Sequence, residues 1–388
     1  MSSLLNKLRM LEAEAPRPVS APAAQKPQAC YHVSQVFSRA LFCPFVHATP
    51  AVLESLFGFA FPPRFQPEDA LFLDTETTGL SGGVGTVAFQ IGVGYFTPSG
   101  FVVEQWLMHD YGQEAEMLST LNGLMARFPI LCTFNGRTFD VPLLKSRFLM
   151  NRIFHPSFPA LHADVLYPAR RIWKLRLKSC TLGRLEEELL GVVREDDLPG
   201  SLVPQAYFQY LKDGAFGPME RILKHNQQDI VSLAQLFFFL CQQANKPELL
   251  SSDEDLLSLA RAMEKQGRRE KAVTCYRMLC HGNLRAEGFQ ALALDAKRRG
   301  QVKTALKLYQ AMLRRGDQPV LACEALAKLY EHQLRDPVQA LHYTRQALLL
   351  LSEPSLRSGD KAVQDVQIAL QYRYARLRRR ILAAPRKG

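Results

Sequence analysis

The segment ALFLDTETTGL (70–80) ends an apolar run in two carboxylates, Asp74 and Glu76, placed two residues apart. Successive side chains of a β-strand point to opposite faces, so both acids project from one face at the strand's end. Like charges held together call for a cation, and hard oxygen donors suit Mg²⁺ or Mn²⁺. Two such ions activate a water and stabilise the leaving oxygen in phosphodiester cleavage. The same Asp-x-Glu spacing also serves in ordinary surface turns, so the pair needs partners before it implies chemistry.

Two further acids stand where partners are needed. The strand-like ILCTFNG (130–136) runs into RTFD, which puts Asp140 at a strand-to-helix junction, where Asp also serves as a helix N-cap. In KHNQQDIV (224–231), His225 and Asp229 are four residues apart and share one face of a helix over 219–244. That helix is otherwise strongly apolar (IVSLAQLFFFL), so its polar half has a purpose beyond solvation. An imidazole near its ordinary pKa of about 6.5 is able to take a proton from an attacking water. His162 and Asp164 in LHADVLYPARRIW also fall near this position, Asp164 with a capping role as its plain alternative. Phe134 and Phe139 read as core. Asn135 and Thr75 are candidates to contact substrate or orient a carboxylate. Arg170, Arg171 and Lys174, with Arg176 and Lys178, surround Trp173 as a basic groove with one stacking platform would. A solvated helix face explains that cluster as well.

The elements that must carry these residues follow from the hydrophobic pattern. Strand-like runs at 86–96 and 101–109 follow ALFLD, separated by Gly- and Pro-containing turns, and a helix is expected over 114–128. The loop at 79–85 holds four glycines, enough for backbone to approach a ligand closely. Residues 3–15 suit a short amphipathic helix, and 16–27 have a linker's Pro/Ala/Ser composition. Residues 30–69 show no clear period and read as an irregular extension. Beyond about residue 248 the β signal disappears. Ala272, Ala305 and Ala340 recur 33 and 35 residues apart, and Ala260 and Ala293 each stand seven before a glycine. A period near 34 with small residues at helix crossings is the mark of tetratricopeptide-type helix pairs.

Composition bounds the function class. The 388 residues, 47% of them hydrophobic, suffice for two domains with their own cores. No window approaches the length of apolar run that a membrane span needs, and the N-terminus lacks a leader pattern, so a soluble cytoplasmic protein without a membrane partner is expected. Eight scattered cysteines form no zinc or disulfide pattern and read as small buried hydrophobes. The net charge of +11 favours polyanionic partners. Seven basic residues (Arg373, Arg376, Arg378, Arg379, Arg380, Arg386, Lys387) fall after Gln371 with no acid among them. They read either as a solvated helix end or as a phosphate-contacting tail.

DTETTGL, FNGRTFD and HNQQD, in this order, resemble the three motifs of the DEDD superfamily of 3′–5′ exonucleases. Three strands, a helix, a strand and then helices is also the order of that superfamily's ribonuclease H-like α/β fold. With the N-terminal extension, the glycine loop and the helical repeats, nearly the whole chain is similar to the bacterial YprB-like family. The resemblance implies Asp74, Glu76, Asp140 and Asp229 as ligands of two Mg²⁺ or Mn²⁺ ions. The chain departs from the superfamily in its base: branches carry Tyr four or His five residues before the last acid, whereas His225 stands four before Asp229. A four-residue offset keeps the two about 40° apart around a helix, which favours a role for His225.

The expected organisation is an N-terminal helix and linker (1–29), an irregular extension (30–69), a ribonuclease H-like mixed sheet flanked by helices (70–247), tetratricopeptide-like repeats (253–350) and a basic C-terminal helix and tail (351–388). The expected activity is metal-dependent 3′–5′ exonuclease action on nucleic acid, DNA before RNA. The repeats would dock a protein partner, and the resemblance implies work beside a helicase in DNA repair. A ribonuclease of the same fold, or a nucleic-acid-binding adaptor with an inactive site, are the alternatives.

Overall fold

The computed structural model describes residues 29–42, 44–79, 85–194, 198–352 and 361–383. The expected N-terminal helix and linker, most of the glycine loop, and Arg386 and Lys387 lie outside the described residues. A six-stranded mixed sheet forms the first part: β1 (Tyr31–Phe37), β2 (Ala70–Thr77), β3 (Ala88–Thr97), β4 (Gly100–Leu107), β5 (Ile130–Thr133) and β6 (Leu161–Asp164), in spatial order β1-β4-β3-β2-β5-β6. β2, β3, β4 and β1 pair antiparallel, whereas β5 and β6 continue from β2 in parallel.

Alternation along β2 splits the core into two layers. Ala70 and Phe72 face one layer with helices α1 (Pro50–Phe57), α4 (Leu166–Leu177) and most of α7 (Gly217–Asn245). Leu71 and Leu73 face the other, with α2 (Glu114–Met125), α3 (Asp140–Met150), α6 (Val203–Asp213) and the start of α7. Between α4 and α6 lies α5 (Leu182–Leu185), which runs into a π-helical turn at Glu186–Leu190. α7 thus crosses the sheet's carboxyl edge between both layers. Its apolar residues Ile230 to Leu240 bury one end and leave the 225–229 turn beside β2.

Two expectations need correction. Residues 31–37 are an edge strand, paired with β4 in register from Tyr31↔Leu107 to Phe37↔Phe101. The strand escapes sequence reading because, as an edge, it buries little and carries no apolar alternation. The 130–136 strand stops at Thr133, because Asn135 turns left-handed (φ 66°).

The second part is helical. Three hairpins follow: α8 (Asp253–Lys265) with α9 (Arg269–Leu279), α10 (Arg285–Arg298) with α11 (Val302–Arg315), and α12 (Pro319–His332) with α13 (Pro337–Ser352), closed by α14 (Lys361–Leu382). Ala260, Ala272, Ala293, Ala305, Ala327 and Ala340 are all buried where helices cross. Gly267 and Gly300 close the first two hairpins in the left-handed region, and in the third Arg335 (φ 56°) takes that position. The first hairpin shares the sheet's core layer through Leu256, Leu259, Met263 and Tyr276, so the two parts are continuous there. All seven described cysteines are unpaired, and all but Cys30 are buried. Among the described residues no single helix is long and apolar enough to cross a membrane.

Candidate metal centre

The acids of β2 stand at the carboxyl end of the parallel half of the sheet, where open α/β sheets place their ligands. Asp74 sits opposite Gly92 and Glu76 opposite Gln90, and a bulge between Glu76 and Thr77 ends the ladder there. Bulges of this kind re-aim side chains at the rim of a sheet. Asp140 is the first residue of α3, reached from β5 through the turn at 134–139. Asp164 holds that turn: its Oδ1 accepts the Asn135 amide at 2.8 Å and its Oδ2 the Arg137 amide at 2.9 Å. Gly136 packs so tightly on Thr133 that a Cβ would lie 2.5 Å from its side chain. Asp164 is therefore the support of the loop that delivers Asp140.

Thr75 points away from Asp74, and its hydroxyl donates to Asp140 Oδ1 at 2.6 Å. This contact ties the β2 motif to the α3 motif. From α7, His225 Nε2 lies 3.3 Å from Asp229 Oδ2 and 3.9 Å from Glu76 Oε1. Ligand atoms of Glu76, His225 and Asp229 all fall within 4.8 Å of one another, a cluster able to hold one cation. Asp74 joins through charge. Its carboxyl is raised well above the ordinary carboxylate range, first by burial and then by repulsion from Asp229, Asp140 and Glu76. Burial pushes Asp140 up to about 6, against the hydrogen bond from Thr75. Asp229 is raised by burial too, with His225 and Arg194 opposing. Four carboxylates gathered at such cost fit a divalent ion, which supplies the missing positive charge.

Residues that sequence reading missed complete the site. Asn226, fully buried, donates from Nδ2 to Asp74 Oδ2 at 2.9 Å, and Gln105 Nε2 donates to Asn226 Oδ1 at 2.8 Å. Gly92 makes room for this relay, since a Cβ there would stand 1.9 Å from Asn226 Oδ1. A glutamine in the apolar run of β4 was the available signal. Arg194 forks onto the fully buried Glu186, with contacts of 2.6 and 2.7 Å, and also reaches Asp229 and the Nδ1 of His225, the latter at 3.0 Å. No periodicity or motif marks Arg194.

The expected groove is only partly realised. Trp173 is buried against Phe239 and cannot stack a base: its position on α4 turns inward with Ala169, Ile172 and Leu177. Arg170, Arg171 and Lys174 lie on the exposed face of α4, where Arg171 donates to the Leu56 carbonyl at 3.2 Å. Arg176 instead crosses to the helical part and pairs with Asp255 at 2.8 Å. Conversely, Phe139, read as core, is half exposed beside Asp140. Tyr167 is exposed as well, with the Arg137 guanidinium 5.5 Å over its ring. His162 hydrogen-bonds Thr133 at 2.8 Å, and burial lowers its pKa.

Residues 71–241 match the RNase_H_2 family of the RNase_H superfamily. The chain is also 28% identical over 324 residues to YprB of Bacillus subtilis, an uncharacterised protein, across 81% of this chain and 76% of that one. The matched segment begins in β2 and ends in α7. It includes Asp74, Glu76, Asp140, His225 and Asp229, so the carboxylate cluster lies within the segment, residues 71–241, that matches the RNase_H superfamily.

Proposed function

We propose that this domain is a metal-dependent exonuclease of the DEDD type, removing nucleotides from the 3′ end of nucleic acid, DNA before RNA. The observation that carries the reading is the gathering of Asp74, Glu76, Asp140 and Asp229 from β2, α3 and α7 at one edge of the sheet, where Asp74 is raised first by burial and then by the other three. Asp74, Glu76, Asp140 and Asp229 would hold Mg²⁺ or Mn²⁺, with His225 beside Glu76 and Asp229. Divalent ions bound there supply the Lewis acidity that lowers the pKa of a nucleophilic water and stabilises the departing 3′ oxygen.

This chain's own residues set the geometry. Asn226 and Thr75 each hold one oxygen of Asp74 and Asp140 and leave the other oxygen of each carboxylate for an ion. The site is then preorganised, which is where most of the catalytic advantage of such centres resides. Phe139, exposed and adjacent to Asp140, and Tyr167, backed by Arg137, offer ring faces on which terminal bases stack in place of the buried Trp173. Arg170 and Lys174 remain available to track the backbone.

The helical hairpins are read as tetratricopeptide-like repeats that dock a protein partner, in keeping with a helicase-associated role in DNA repair. Incubation with 3′- and 5′-labelled single-stranded and duplex DNA and RNA, with Mn²⁺ or chelator, tests the whole reading. Stepwise loss from the 3′ end of DNA supports it. Faster loss from RNA makes it a ribonuclease, and tight binding without cleavage makes it an adaptor.

A further inference from the structure

Arg194 brings a guanidinium into a pocket otherwise built of acids. Its Nε and Nη2 fork onto the two oxygens of Glu186 at 2.6 and 2.7 Å, and that carboxylate has no solvent exposure. From this anchor Nη2 continues to Asp229 Oδ1, while Nη1 meets His225 Nδ1 at 3.0 Å. Glu186 opens a π-helical turn, an irregularity frequent at functional sites. A guanidinium has donors only, so Nδ1 of His225 must accept. The imidazole is therefore the tautomer whose proton sits on Nε2, the atom that points at Asp229 and Glu76. In this state one Asp229 oxygen is taken, and His225 has no lone pair facing the carboxylates.

We propose that Arg194 is the site's resident counter-cation and a positioning residue for His225 and Asp229, a role that rests on the metal-centre reading above. It neutralises the crowded acids until a divalent ion does so, and the ion must displace it from Asp229. When the guanidinium withdraws toward Glu186, Asp229 Oδ1 is freed for the ion and His225 Nδ1 loses its donor.

The test is Mn²⁺ affinity, read by electron paramagnetic resonance of the free ion in the absence of nucleic acid. Because Arg194→Met alone would leave Glu186 buried without its partner, the main variant is Glu186→Gln with Arg194→Met, which removes both charges together. It should bind Mn²⁺ about tenfold more tightly than wild type, since a competing cation is gone. Arg194→Lys, which keeps the charge but loses the fork, should fall between the two. In ¹⁵N spectra of the metal-free protein, wild-type His225 should show the Nε2-protonated tautomer that the Arg194 contact imposes, and the double variant should lose that bias. Equal or weaker Mn²⁺ binding by both variants overturns the role of Arg194 alone. Mn²⁺ binding that is absent from every form, or untouched by Asp74→Asn, overturns the metal reading beneath it.

Discussion

The carboxylate cluster at the sheet's edge and the helical hairpins hold their buried acids differently. At the sheet's edge Asp74, Asp140 and Asp229 crowd one another, and each is raised above the ordinary carboxylate range, with burial the largest cause. Among the hairpins each buried acid has its own arginine. Glu331 on α12 is clamped by Arg373 and Arg376 of α14, and Asp317 is forked by Arg285 at 2.8 to 3.0 Å. Asp255 takes Arg176 from α4, which opposes the upward push of burial on its carboxyl. Paired acids tie helices together, whereas gathered acids hold unfavourable charge that a ligand relieves.

Breaking each side should give opposite phenotypes. Asp74→Asn should abolish Mn²⁺-dependent cleavage, a loss of about a thousandfold or more, while the fold and nucleic-acid binding persist. A labelled-strand assay with circular dichroism checks both. Glu331→Gln should do the reverse. It leaves Arg373 and Arg376 without their carboxylate and should cost about 2 kcal/mol of stability by chemical denaturation, with cleavage per folded molecule unchanged. Gly92→Ala lies between: its new methyl strikes the Asn226 amide that positions Asp74. It should cost about 1–2 kcal/mol and reduce Mn²⁺ affinity as well.

The smallest effect is that of pH. A carboxyl raised in the folded state binds its proton more tightly there than in the unfolded chain. The contribution of Asp140 to the stability of the metal-free protein should therefore be fully present below the ordinary value of 3.8 and be lost as pH rises through about 6. Asp140→Asn should flatten part of that slope in melting curves taken across this range, and Glu331→Gln should leave it.

The contrast also explains what the sequence disclosed. DTETTGL and FNGRTFD advertise their acids because each lies where a recognisable strand ends or a helix begins, and HNQQD does so as a polar turn within an otherwise apolar helix. The hairpins are equally plain, since close helix crossings demand small residues at fixed spacing and Ala260 to Ala340 supply them. Hidden from view were groups whose partners lie far along the chain. Asn226 serves Asp74 across 152 residues, and Arg194 meets Asp229 from a loop 35 residues away. Trp173 misled because an aromatic among basic residues has the same composition whether it faces solvent or core, and only the packing of α4 decides. Arg373 and Arg376 misled likewise, reading as open charge while clamping Glu331.

The most direct test compares melting temperatures of wild type and Asp74→Asn at pH 8, first with chelator and then with saturating Mn²⁺. Without the ion the variant should melt higher, because one crowded charge is gone. With the ion the order should reverse, because wild type alone gains the binding energy. The same order in both conditions would contradict the claim that these carboxylates are gathered to hold a metal.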